Sequence, residues 1–240
     1  MPGEVLAIVG KNGAGKSTLI KCMNRILEPE KGVVFLGERD LKIMQRKDIA
    51  KSMAYLSQKA SYTFPITVFD AVLSGRYPHR AWNSDKEDEI KVSEVLKILE
   101  LESLSMRYFN EISGGQQQQV LIARALVQEA AIFLFDEPTS DLDIKHQLEV
   151  METVRKIVRE KKVSAVVTIH DLNLAARYAD RLIMLKNGLI FAAGSAASVL
   201  TEENITQAYG VRVLINQIEG KPHIIPMRPI DPERRSENNV

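Results

Sequence analysis

Residues 10–17 read Gly10-Lys11-Asn12-Gly13-Ala14-Gly15-Lys16-Ser17, with Thr18 next, and so carry the pattern G-x-x-x-x-G-K-[ST]. The apolar run Glu4 to Val9 (EVLAIV) precedes it and reads as a short buried strand. A helix from about Lys16 to Leu27 is expected after it. Strand, glycine-rich turn and helix make up the setting in which this pattern cradles phosphates. The glycines let backbone N–H groups turn inward around an anion, and the positive end of the helix dipole adds to their pull. Lys16 would reach the β- and γ-phosphates of a nucleotide, and the Ser17 hydroxyl would ligate Mg²⁺.

The rest of the chain continues the alternation. Strands are expected at Gly32 to Leu36, Met53 to Ser57, Ile132 to Phe135 and Val163 to Ile169. Helices are expected at Ser84 to Glu100, with a Ser84/Glu87 capping box, at Gln116 to Gln128, and at Asp143 to Val158 with Ile144, Leu148 and Met151 on one face. Asp171 can cap a further helix, and Asn187-Gly188 between two apolar runs signals a hairpin. Alternating strands and helices imply an α/β fold with a mostly parallel sheet covered on both faces. Ligands of such sheets bind beyond the carboxyl ends of the strands. Polar clusters follow Val9, Phe135 and Ile169, and Gln58 follows the Met53 strand.

Two further motifs carry chemistry. Asp136-Glu137 closes an apolar strand. Asp136 is placed to hold Mg²⁺ through water, and Glu137 to polarise an attacking water. Ser113-Gly114-Gly115-Gln116 opens a helix. A glycine pair there usually marks a tight turn. Beside two nucleotide motifs it reads as a second anion site, made of a hydroxyl and bare N–H groups at a helix end. One triphosphate needs one cradle, so a second suggests that each subunit completes the site of another.

In this order, GKNGAGKST, Gln58, ISGGQ, IFLFDE, Ser140-Asp141-Leu142-Asp143 and His170, the chain resembles the ATP-binding cassette (ABC) ATPases over almost its whole length. The resemblance implies a phosphate-loop NTPase fold of ABC type in a single domain, about residues 1–228. A helical subdomain at about 62–128 would be inserted between the Gln58 loop and the catalytic strand, and 229–240 would form a flexible tail. It implies head-to-tail homodimers that sandwich two ATP molecules. Residues Gly10 to Thr18 would bind ATP in one subunit, and Ser113, Gly114, Gly115 and Gln116 would contact it from the other. Ser17, Gln58 and Asp136 would serve Mg²⁺, while Glu137, His170, Gln58 and Lys16 would carry the hydrolysis. Thr67-Val68-x-Asp70, Gly75-Arg76-Tyr77-Pro78-His79 and Leu142-Asp143-Ile144-x-His146-Gln147 are similar to the ATPases of iron–siderophore, haem and vitamin B12 importers. Partners would then be a membrane permease and, indirectly, an external binding protein. The chain would sit at the inner face of the cell membrane. Zinc or manganese importer ATPases and non-transport ABC ATPases remain alternatives.

The family pattern includes an antiparallel strand pair before the phosphate loop, bearing an aromatic residue that stacks on adenine. Nine residues precede Gly10 here, and Tyr55, Tyr62 and Phe64 do not replace that aromatic by position. Either the natural start lies further upstream, or this is a short form with weaker adenine binding. Ile112, Gln117, Gln119 and Asp141 also depart from common family residues.

Composition bounds the alternatives. At 240 residues, 45% hydrophobic and 26% charged, the chain can bury a core and is not disordered as a whole. A net charge of +1 gives no indication of a nucleic-acid partner. A single cysteine, Cys22, excludes an intrachain disulfide and a multi-cysteine zinc site. No run approaches the ~20 apolar residues of a membrane-spanning helix.

Overall fold

The computed structural model describes residues 2–58, 65–79 and 86–230. Elements follow in the order β1 (Val5–Val9), α1 (Lys16–Met23), β2 (Phe35–Leu36), β3 (Arg39–Asp40), α2 (Arg46–Ser52), β4 (Met53–Leu56), α3 (Val68–Leu73), α4 (Lys86–Ile98) and α5 (Gly114–Leu126). Then come β5 (Ile132–Asp136), α6 (Ile144–Lys161), β6 (Ser164–Thr168), α7 (Leu172–Tyr178), β7 (Arg181–Lys186), β8 (Leu189–Gly194), α8 (Ala196–Val199), α9 (Glu202–Tyr209), β9 (Val211–Ile218) and β10 (Lys221–Pro229).

The central sheet has the order β4-β5-β6-β1-β7-β8. All its pairings are parallel except the β7–β8 hairpin. Side chains of a strand alternate between faces, so a sheet covered on both sides needs apolar residues at nearly every position. Val5, Ala7 and Val9 of β1 join the larger core with Phe133 and Phe135 of β5, while Ile8 and Leu134 point into the smaller one under α1 and α2. α6 closes the larger core with Val150, Met151, Val154, Ile157 and Val158. Among the described residues, no helix is long and apolar enough to cross a membrane.

Several elements differ from the sequence expectation. α1 stops at Met23 rather than Leu27, because Asn24 caps it and Arg25 turns to φ 53°. The Gly32–Leu36 strand shrinks to a two-residue ladder, Phe35↔Asp40 and Leu36↔Arg39. Ile144 opens α6 and is 77% exposed, while Met151 on the same face is buried. Helices α8 and α9 and the β9–β10 hairpin have no counterpart in that expectation. Strand pairing runs through Pro229, and the Ile230 N–H donates to Gly210 O, so order extends past the expected start of the tail. The proposed Ser84 cap, Tyr62 and Phe64, and residues 231–240 lie outside the described residues.

The sheet order decides where the site forms. β1 lies between β6 and β7, and β6 lies between β5 and β1. Thr168 pairs with Ile8 on one side and Asp136 on the other. The ends of β1, β5 and β6 therefore meet in one row.

Candidate active site

The turn after β1 wraps the start of α1. Gly15 caps the helix at φ 98°. Gly10 must be glycine because a Cβ there would lie 2.6 Å from Leu185 O. The Ala14 N–H donates to Lys11 O (3.0 Å) and the Gly188 N–H donates to Ala14 O (3.2 Å), so the β7–β8 turn braces the loop. Lys16 lies under this turn, 4% exposed, with Nζ donating to Gly10 O (2.9 Å) and Lys11 O (3.3 Å). Burial pushes its ammonium below the ordinary lysine value, against the opposing pull of Glu137 and then Asp136.

The strand-end carboxylates face it. Ser17 Oγ donates to Asp136 Oδ1 at 2.9 Å. The fully buried Thr168 hydroxyl donates to the same oxygen at 2.9 Å and accepts the Glu137 N–H at 2.8 Å. The Tyr55 hydroxyl reaches Asp136 Oδ2 at 3.5 Å. Burial first, and then the Asp136 charge, pushes Tyr55 up to about 12.

Glu137 is the hub. It is 8% exposed and stands at φ 54°, a left-handed conformation that non-glycine residues hold only where their surroundings enforce it. Gln58 Nε2 donates to Glu137 Oε2 at 2.6 Å, His170 Nε2 lies 2.5 Å from Oε1, and Lys16 Nζ lies 3.8 Å from Oε1. Lys16 Nζ is also 3.5 Å from His170 Nδ1. One tautomer satisfies both contacts: Nε2–H donates to Glu137 and Nδ1 accepts from Lys16.

The expected residues thus fall into two groups. Asn12, Gly13, Gly15, Lys16, Ser17, Thr18, Gln58, Glu137 and His170 line one open cavity of about 360 Å³. Gly10, Lys11, Ala14 and Asp136 hold its walls. Ser113, Gly114, Gly115 and Gln116 do not line it. They form the first turn of α5, where Ser113 Oγ accepts the Gln116 N–H (3.3 Å) and Gln116 Oε1 accepts the Ser113 N–H (3.0 Å). This reciprocal cap follows from the Ser-x-x-Gln spacing. Thr168 and Tyr55 are site residues that sequence reasoning missed. A hydroxyl next to the end of a strand was the sole sequence hint for Thr168.

A phosphate cradle at a helix start, a buried lysine, a hydroxyl paired with a strand-end aspartate and a glutamate shared by glutamine and histidine define a phosphate-loop nucleoside triphosphatase. Comparison with known proteins gives the family. The ABC transporter family profile matches residues 1–140. An uncharacterised ABC transporter ATP-binding protein of Methanocaldococcus jannaschii is 49% identical over 94% of this chain and 88% of its own. The petrobactin import ATP-binding protein FpuC of Bacillus anthracis is 39% identical over 94% of this chain and 84% of its own. Among solved structures, an ABC transporter assigned to the metal-chelate type, in an inward-facing conformation, superposes with a TM-score of 0.82 at 29% identity, over 94% of this chain and 87% of that one. The dimeric ATP-binding cassette MJ0796, bound to ADP and phosphate, matches with a TM-score of 0.71 at 30% identity, over 82% and 87%. The chain belongs to the ABC transporter ATP-binding family and is an ATPase.

Proposed function

We propose that the chain powers uptake of a metal chelate, of siderophore, haem or cobalamin type, through a membrane permease, by hydrolysing Mg-ATP in a head-to-tail homodimer. The observation that carries the ATPase part is the convergence of Lys16, Gln58 and His170 on Glu137 at the mouth of the phosphate loop. The substrate class rests on relatives such as the petrobactin import protein, and the dimer on the dimeric cassette. The chain would act at the inner membrane face and meet an external binding protein only through the permease.

The donor set suits Mg²⁺. Ser17 Oγ and Asp136 Oδ1 are hard oxygen donors 2.9 Å apart, and the Gln58 side chain lines the same cavity as Ser17. Among the described residues, no group of three or more His, Cys, Asp and Glu could hold a metal alone. Mg²⁺ keeps waters and takes substrate phosphate oxygens, so two protein oxygens are enough for it. The ion, when bound, supplies charge neutralisation on the β- and γ-phosphate oxygens.

Lys16 would exchange its contacts with Gly10 O and Lys11 O for phosphate oxygens. Rotation of the Gln58 amide would release Glu137 Oε2, leaving it free to orient the attacking water and take its proton. The water oxygen bonds to the γ-phosphorus as the bond from that phosphorus to the bridging oxygen breaks, so ADP keeps the electron pair and inorganic phosphate is the other product. Lys16 would stabilise the charge on the transferring group, and so would His170 once its Nε2–H turns from Glu137 to the phosphoryl oxygens. The first turn of α5 in the second subunit would close over the γ-phosphate, with Ser113 exchanging its cap for that contact. Hydrolysis removes the bridge and the dimer opens.

A groove of about 730 Å³ between α2 and β4 on one side and α5 and the segment after α3 (Ser74 to Pro78) on the other would seat the permease. Tyr55 lines it and also touches Asp136, which links the groove to the site. The test is sedimentation of Glu137→Gln with and without Mg-ATP, with bound nucleotide counted in the same sample. ATP-dependent dimers are expected. A species that carries ATP and stays monomeric would overturn the composite site.

A further inference from the structure

We infer that His146 is a positioning residue for the Ser113–Gly115 end of α5: its imidazole, clamped by Asp143, is the seat against which Gly115 is held for contact with the ATP of the opposite subunit. The inference rests on the composite-site reading above.

The contact is close and specific. A Cβ added at Gly115 would lie 2.2 Å from His146 Cδ2 and 2.8 Å from both Cγ and Nε2. The ring therefore occupies the space that any other residue at 115 would need. Gly115 is buried in consequence, while Ser113 and Gly114 beside it are exposed. The ring cannot drift freely. Its Nδ1 lies 2.8 Å from Asp143 Oδ1, and the same oxygen accepts the His146 backbone N–H at 2.9 Å as the cap of α6. The hydrogen bonds from His146 hold the Asp143 carboxyl below its ordinary range, so the clamp stays ionised at neutral pH.

The next residue carries the seat to the catalytic loop. Gln147 Nε2 donates to Leu142 O (3.0 Å) and Thr139 O (3.4 Å). Within that loop, Ser140 returns to Glu137 O through its N–H (3.2 Å) and its hydroxyl (3.0 Å). One helical turn thus holds both the loop behind a subunit's own catalytic carboxylate and the helix end it presents to its partner. A helix end that must aim N–H groups at an anion gains from having its direction fixed before the anion arrives.

The test uses the Glu137→Gln chain, with ATP affinity of the monomer and the ATP-dependent dimer constant measured separately. His146→Ala should leave monomer ATP affinity within about twofold and weaken the dimer about tenfold, the scale on which packed neighbours couple. His146→Gln serves the same comparison if the alanine variant does not fold. Gly115→Ala should weaken the dimer strongly when His146 is present. Combined with His146→Ala, which leaves room for the methyl, it should weaken the dimer by less than about threefold further. A purely structural histidine would lower melting temperature and ATP affinity together and show no such rescue. Equal dimer constants with and without His146, or the same Gly115→Ala effect in both backgrounds, would overturn the inference. Failure of the parent Glu137→Gln to dimerise would be a different result, removing the composite-site reading and this inference with it.

Discussion

Thr168→Val removes one hydroxyl and keeps the side-chain shape, which isolates the polar link at the centre of the site. Thr168 has no exposed surface, so water cannot replace what is lost. Two interactions go. The bond donated to Asp136 Oδ1 is charge-assisted and is worth about 1.5–3 kcal/mol. The Glu137 N–H loses its acceptor while buried, at about 1–3 kcal/mol. The added methyl returns roughly 1 kcal/mol by burial. The net is about 3 kcal/mol, or a fall in Tm of roughly 6–12 °C for a chain of this size. Thr168→Ser keeps the hydroxyl and loses only a methyl, at about 1 kcal/mol. Urea unfolding of the three proteins measures the order. ATPase assays add a second readout: the N–H anchors Glu137 at φ 54°, so kcat should fall in the valine variant while KM for ATP moves little. A valine variant within about 0.5 kcal/mol of wild type, or a serine variant less stable than it, would refute the reasoning.

Other outcomes follow from the same geometry. Arg76, 4% exposed, bonds Asp88 (2.7 Å), Glu129 (2.7 Å) and Val127 O (2.8 Å), so Arg76→Met should cost about 3–5 kcal/mol by thermal unfolding, and a cost under about 1 kcal/mol would contradict that. Tyr55 has its folded pKa raised above the unfolded value, so its contribution is fully present below about pH 10 and is lost as pH rises through about 12; Tyr55→Phe should flatten the alkaline limb of a stability–pH curve in that window. Gly10→Ala should abolish ATP binding measured by fluorescence titration, because its Cβ meets the Leu185 carbonyl.

Legibility in the sequence follows the range of the forces. The phosphate loop, the Asp136-Glu137 strand end and the Asn187-Gly188 hairpin are local patterns, and each stands where it was expected. The alternation that implied a parallel sheet also survives, since a strand covered on both faces must be apolar throughout. The α5 cap is written in Ser113-x-x-Gln116, a spacing that an anion-binding reading of Ser113 hides. Arg25 ends α1 through a left-handed turn that no glycine or proline announces. Thr168 was invisible for another reason: its role depends on β5 and β6 being neighbours in register, which is a tertiary fact. Gln58 meets Glu137 across 79 residues of chain, and His170 joins them from the end of another strand; their shared place at strand carboxyl ends hinted at that meeting, and the family resemblance gave the roles.

Mixing two inactive variants tests the central claim most directly. Lys16→Ala disables the phosphate loop of its own subunit, and Ser113→Arg disables the helix end offered to the partner. Each should lack ATPase activity alone. In a mixed dimer, one site pairs the intact loop of the second variant with the intact helix end of the first. The account predicts that activity returns on mixing and rises with the fraction of mixed dimers. Mixtures as inactive as their parts, with mixed dimers demonstrably formed, would contradict a catalytic site shared between subunits.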